Sequence, residues 1–183
     1  MSHANSNNVQ VLSWTHHDPR DSVVFNAWGL MYQFKTETAA NGQITTTLWR
    51  TIRANREDRV GKLEWGANGS LGRAIVGKNT TPMSDMCRLQ GQGNFVRSFN
   101  GPDGYTYTWR PQPSSYDTLL QDSNGVTIAF FRPIRPSRCA YGDVYCELHF
   151  LGSAGNGTVT HPPMMDMVLI TSMIYRYVTA HNL

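Results

Sequence analysis

The densest group of possible metal ligands in the chain is His16-His17-Asp18. Imidazole and carboxylate groups suit a transition metal. Neighbouring residues on an extended segment point to opposite sides, however, so three in a row do not share one ion without an unusual bend. With Pro19 restraining itself and the residue before it, His16 to Asp21 reads as a polar connection. His149 and His161 are distant in sequence, and there is no HExxH pattern to bring two imidazoles to one helix face. Neither a metal site nor a cofactor is expected.

Nucleophilic chemistry has equally little support. Cys87, Cys139 and Cys146 can each be matched to a histidine only by assuming a fold. No GxSxG motif is present, and Ser70 in Asn68-Gly69-Ser70-Leu71-Gly72 lacks the strand-to-helix elbow that exposes a serine nucleophile. Gly66 to Gly72 is glycine-rich without the GxxxxGK[ST] phosphate loop, and Asn68-Gly69 reads as a hairpin turn. Glu57 and Asp58 are neighbours among arginines. Acid–base catalysis needs two carboxylates placed across a substrate in different environments.

Binding fits these residue types better. Arg50, Arg53, Arg56 and Arg59 offer a rim for an anionic head group. Tyr116 and Tyr141 fall near predicted loops and are the expected interface aromatics, whereas Tyr107 and Trp109 share a strand face and are expected in the core. The expected function is therefore noncatalytic binding or scaffolding, with a protein or anionic lipid as partner. The alternative is a small enzyme with a dispersed His/acid or Cys/His site in a pocket at a barrel edge.

Composition narrows the classes further. The chain has 183 residues, 40% apolar and 16% charged, with 5 Trp, 8 Tyr and 7 Phe. That aromatic content argues against disorder, and the length suits one domain with a sizeable core. A net charge of +3 without a concentrated basic stripe excludes an obvious nucleic-acid surface. Three cysteines do not make a disulfide framework; Cys139 and Cys146 could meet across a turn, but all three are expected as free thiols. The opening MSHANSNN has no basic and apolar leader pattern. Asn68-Gly69-Ser70, Asn79-Thr80-Thr81 and Asn156-Gly157-Thr158 match the glycosylation triplet, which matters only after secretion. The expected location is cytoplasmic or peripheral to an internal membrane.

The elements that would position these residues are mostly strands. Residues 1–8 read as a disordered tail and 9–183 as one domain. Val9 to Trp14 reads as the first strand. Trp28, Leu30, Tyr32 and Phe34 alternate onto one face of the next clear strand, followed by an Asn41-Gly42 turn and the Thr-rich strand Ile44 to Ile52. Further strands are expected at 59–65, 71–76, 95–99, 105–110, 118–121, 126–132 and 144–151, with residues 77–94 least legible and 152–157 a flexible turn. After Pro162-Pro163 an apolar helix is expected over about 163–179, with Asp166 near its positive end and Arg176 near its negative end. Those two charges leave too short an apolar run for a bilayer span. A helix that is apolar all round must be surrounded by protein. Burying five or six large side chains at roughly 1.5–3 kcal/mol each would dominate stability, so truncation near Pro162 should leave no folded, soluble protein.

The order of several short motifs resembles the fungal family of unknown function DUF6593, found mainly in mushroom-forming fungi. The motifs are Asp18-Pro19-Arg20, Trp28 to Phe34, Gly61 to Trp65, Asp103-Gly104-Tyr105-Thr106-Tyr107-Thr108-Trp109-Arg110, Gly125 to Ala129 and Met165 to Thr171. That family is similar to the group of tubby C-terminal domains, plant LURP-one proteins and phospholipid scramblases. The resemblance implies a closed or nearly closed antiparallel β-barrel wrapped around the apolar C-terminal helix, compatible with about ten to twelve candidate strands. It carries no activity over, because no tubby phosphate-binding motif can be placed on this chain. A homodimer is a further expectation if strand edges remain exposed.

Overall fold

A computed structural model of the chain describes residues 9–93, 95–152 and 159–183. The expected tail at 1–8, nearly all of the turn at 152–157 and the triplet at Asn156 lie outside the described residues.

Seven strands come first: β1 (Val9–Thr15), β2 (Ser22–Asn26), β3 (Gly29–Thr38), β4 (Ile44–Arg53), β5 (Arg56–Glu64), β6 (Arg73–Val76) and β7 (Asn79–Pro82). A 3-10 turn at Met83–Met86 leads to β8 (Arg88–Leu89). Then follow β9 (Arg97–Asn100), β10 (Thr106–Pro111), β11 (Thr118–Gln121), β12 (Thr127–Cys139), β13 (Gly142–Leu151) and the helix α1 (Met164–His181). Alternation does what the sequence suggests. In β3 the inward residues Tyr32 and Phe34 are buried, and in β13 Val144, Cys146, Leu148 and Phe150 are buried at every second position. Turn chemistry is equally local. Gly125 closes the β11–β12 turn at φ +78, while the Asp122 carboxylate accepts from the amides of Asn124 and Val126.

All thirteen strands belong to one antiparallel sheet in the order β7-β6-β5-β4-β3-β2-β1-β13-β12-β11-β10-β9-β8. The expected closed barrel, and the tubby-like architecture with it, is thereby corrected: β7 and β8 are the two edges of the sheet and do not pair with each other. The physical reason is local. Pro82 ends β7 without an amide to donate, the 3-10 turn stands between the two strands, and β8 has only two residues. The stretch 77–94, least legible in the sequence, is where the sheet stays open.

α1 supplies the centre of the core, with buried residues on every side of it. Trp65 and Tyr177 have ring centroids 4.4 Å apart, and Phe131 meets Tyr175 at 5.8 Å. Trp109 donates its indole N–H to Thr171 Oγ1 at 3.1 Å. Buried Trp14 and Trp65 likewise donate, to Ser22 Oγ and Thr46 Oγ1, so neither indole N–H is stranded. The helix thus touches strands of both halves of the sheet. Its C-terminal end is clasped by the Asp18-Pro19-Arg20 segment: the Arg20 guanidinium lies 4.4 Å from the Tyr177 ring centroid and is held by Asp18. Burial alone would raise the Asp18 carboxyl, but the hydrogen bonds and charge of Arg20 outweigh it and hold it below its ordinary value. Among the described residues no helix is long and apolar enough to cross a membrane.

Trp28 departs from the expected strand face. It lies in the turn before β3 and is 94% exposed.

Candidate functional site

Where the sheet fails to close, a cleft of about 680 Å³ opens. One wall comes from β5, β6 and β7, through Arg59, Val60, Val76, Asn79 and Thr81. The other comes from the 3-10 turn, β8 and β9, through Asp85, Met86, Arg88, Phe99 and Asn100. The first turn of α1 reaches it with Pro163, Asp166 and Met167, and Arg50 of β4 completes the lining.

The charges in this cleft are unequally committed. Asp166 is buried; it accepts from Tyr32 Oη at 2.7 Å and from Arg50 Nη1 at 2.5 Å. Burial, reinforced by the Asp166 charge, pushes the Tyr32 phenol well above its ordinary range, so it remains a donor. Arg50 is therefore occupied within the protein. Arg88 donates to the Asn100 side chain at 2.8 Å, a neutral partner. Arg59 is exposed and has no ion pair among the described residues. After Arg50 and Asp166 satisfy one another, Arg59 and Arg88 face one exposed carboxylate, Asp85. Val60, Val76, Met86, Phe99 and Met167 supply apolar surface beside these charges.

The four arginines expected as one rim are thus divided. Arg50 and Arg59 line the cleft. Arg53 lines a separate hollow with Trp28 and Tyr141, and Arg56 faces Arg53 across the β4–β5 turn. That division follows from the tight turn, where Asn55 takes φ +64, and from the register shifts around it. Tyr141 lies on its β12–β13 turn against Phe25, ring centroids 4.8 Å apart. Tyr116 is 89% exposed on the β10–β11 connection and lines neither hollow.

The histidines read as possible ligands, His16, His17, His149 and His161, form no common site. His16 Nδ1 shares a hydrogen bond with Thr15 Oγ1, and His17 meets Tyr145 edge-on. His149 pairs with Glu147 and His161 borders a small hollow beside Pro102 and Asp103. No histidine or cysteine is among the cleft-lining residues. Among the described residues no three His, Cys, Asp or Glu side chains group as metal ligands, and Cys87, Cys139 and Cys146 are all unbridged. Burial pushes the Cys87 and Cys146 thiols upward, away from the reactive thiolate.

Sequence reasoning missed Asp85, Arg88 and the site role of Asp166. Asp85 and Arg88 fall in the stretch that carries no strand periodicity. Asp166 gave a signal, a lone carboxylate in an apolar helix, but helix polarity alone was enough to account for it.

A family model described as "Family of unknown function (DUF6593)" matches residues 17–176. No curated protein and no solved structure matches the chain.

Proposed function

We propose, from the premise that the chain belongs to the DUF6593 family of unknown function, that it is a noncatalytic binding protein. Its ligand is a small molecule with a phosphate or carboxylate head and a short apolar portion, held in the cleft between β7 and β8. The observation that carries this reading is the pairing of two under-committed cations, Arg59 and Arg88, with an apolar wall in one concave site. Charge-assisted hydrogen bonds fix the head, and guanidinium groups match phosphate and carboxylate geometry. Val60, Val76, Met86 and Phe99 take the apolar portion. The cleft carboxylate Asp166 already accepts from two donors, which fits a positioning role better than proton transfer.

Hexyl phosphate, inorganic phosphate and hexanol separate head from tail in a thermal-shift titration. Hexyl phosphate should raise the melting temperature, inorganic phosphate should act more weakly, and hexanol should leave it unchanged. Removing one charge-assisted contact costs about 1.5–3 kcal/mol, so Arg59→Ala should weaken the hexyl phosphate response about tenfold or more. No shift with hexyl phosphate, or a response in Arg59→Ala and Arg88→Ala as strong as in the parent, would sink the reading. A response to inorganic phosphate as strong as to hexyl phosphate would remove the apolar part of it.

A further inference from the structure

A second surface adjoins the cleft. The start of β4 lies near Trp65, which meets the Tyr177 ring late in α1, whereas Arg50 reaches Asp166 in the first helical turn. The β4–β5 turn therefore projects beyond the beginning of α1. Tyr32 meets the same Asp166, so the β2–β3 turn projects at that end too. The β6–β7 and β9–β10 turns join them, because Gly77 and Gly104 line the cleft with Pro163. Several separate turns thus share one end of the molecule.

Their side chains have one chemistry in common. Trp28 is 94% exposed on the β2–β3 turn, and Tyr105 is 64% exposed on the β9–β10 turn. Beside Trp28 a hollow of about 760 Å³ also takes in Leu30, Arg53, Asn55, Glu57 and Tyr141. Arg53 and Arg56 sit directly opposite each other in the β4–β5 register, and Lys78 stands on the β6–β7 turn. Like charges placed opposite on paired strands repel. None of these three cations has an ion pair among the described residues. The nearby carboxylates are Glu57 in the hollow, Asp85 in the cleft, and Asp103, which accepts from Tyr107 Oη and keeps its charge.

We propose that this end of the molecule docks on an anionic bilayer surface. Trp28 and Tyr105 sit at head-group depth, where amphipathic rings are favoured, and Arg53, Arg56 and Lys78 meet the negative lipid charge. Aromatic and cationic side chains spread over separate turns match a broad, flat, charged surface better than the single pocket a protein partner would offer to one Trp. The inference does not depend on what occupies the cleft.

The test is co-sedimentation of the full chain with phosphatidylcholine vesicles, with and without phosphatidylserine. Binding should require phosphatidylserine and fall as salt is raised. Arg53→Ala combined with Arg56→Ala should weaken it about 30-fold, from two lost cations. Trp28→Ala should weaken it about tenfold while leaving the melting temperature unchanged, since the side chain packs on nothing. Arg59→Ala should keep vesicle binding while weakening the hexyl phosphate response, which distinguishes this face from the cleft. Absence of sedimentation, equal binding to neutral vesicles, or unchanged binding in Trp28→Ala would each overturn the proposal; a protein partner at Trp28 would give the first of these.

Discussion

Replacing Asp166 by Ala should be among the most damaging single changes outside the apolar core. Its carboxylate is 9% exposed and accepts from the Arg50 guanidinium, itself 24% exposed, and from the buried Tyr32 hydroxyl. Breaking a buried ion pair by removing one partner costs about 3–5 kcal/mol. The partial exposure of Arg50 lets water recover some of its charge, which favours the lower end, about 3 kcal/mol. The orphaned Tyr32 hydroxyl adds about 1 kcal/mol. A total near 4 kcal/mol lowers the melting temperature of a domain this size by about 10 °C. Asp166→Asn keeps an acceptor for Tyr32 and loses the charge facing Arg50, so it should cost about 2 kcal/mol. The measurement is urea unfolding of Arg50→Ala, Asp166→Ala and the double variant, followed by tryptophan fluorescence. The cycle should return a coupling of about 2 kcal/mol. A coupling below about 0.5 kcal/mol, with Asp166→Ala behaving like an ordinary surface change, would refute the view that this pair fixes the start of α1 against the sheet.

Two further perturbations are a change of glycine and a change of pH. A Cβ at Gly72 would lie 2.0 Å from the Glu64 carbonyl oxygen, so backbone must move; Gly72→Ala should cost about 3 kcal/mol in denaturant unfolding. At Gly77, with φ +60 and nothing within 4 Å, alanine should cost only about 1 kcal/mol, from backbone conformation alone. The second effect concerns acid. Hydrogen bonds from Arg132 hold the buried Asp117 carboxyl below its ordinary value of about 3.9. The unfolded chain therefore takes up that proton first, so the pair's contribution is complete above about pH 5 and is lost as pH falls through the folded value. Asp117→Asn should be less stable than the parent at pH 7, and the difference should shrink toward pH 3 in paired denaturant titrations.

The strands were legible wherever side chains alternate between core and water. Tyr32 and Phe34 in β3, and Tyr107 and Trp109 in β10, declare their buried face by residue type alone. The helix was legible because few polar residues interrupt Met164 to Val178. The opening of the sheet was not. A ladder closes or stays open according to whether two particular edges meet, and β7 and β8 are too short and polar to carry a periodic signal. The site suffered for the same reason, since six of its eighteen lining residues come from the stretch 77–94 that holds those edges. The four arginines read as one rim are divided between two surfaces by the sharp turn at Asn55. Trp28 misled because its alternation with Leu30 is real, while the strand begins one residue too late to include it.

The two edge strands are successive in the chain, whereas the strands that join the two halves of the sheet, β1 and β13, come from opposite ends of it. During synthesis the ladder from β1 through β7 can therefore assemble from local hairpins as it leaves the ribosome. Its apolar face must nevertheless wait for α1, which follows all thirteen strands in the chain. Until then it is exposed to any aggregating neighbour, and the ladder between β1 and β13, whose partners lie well over a hundred residues apart, is among the last contacts available. The seam that admits a ligand in the finished molecule thus also marks the boundary between what can form early in its production and what must be protected until the end.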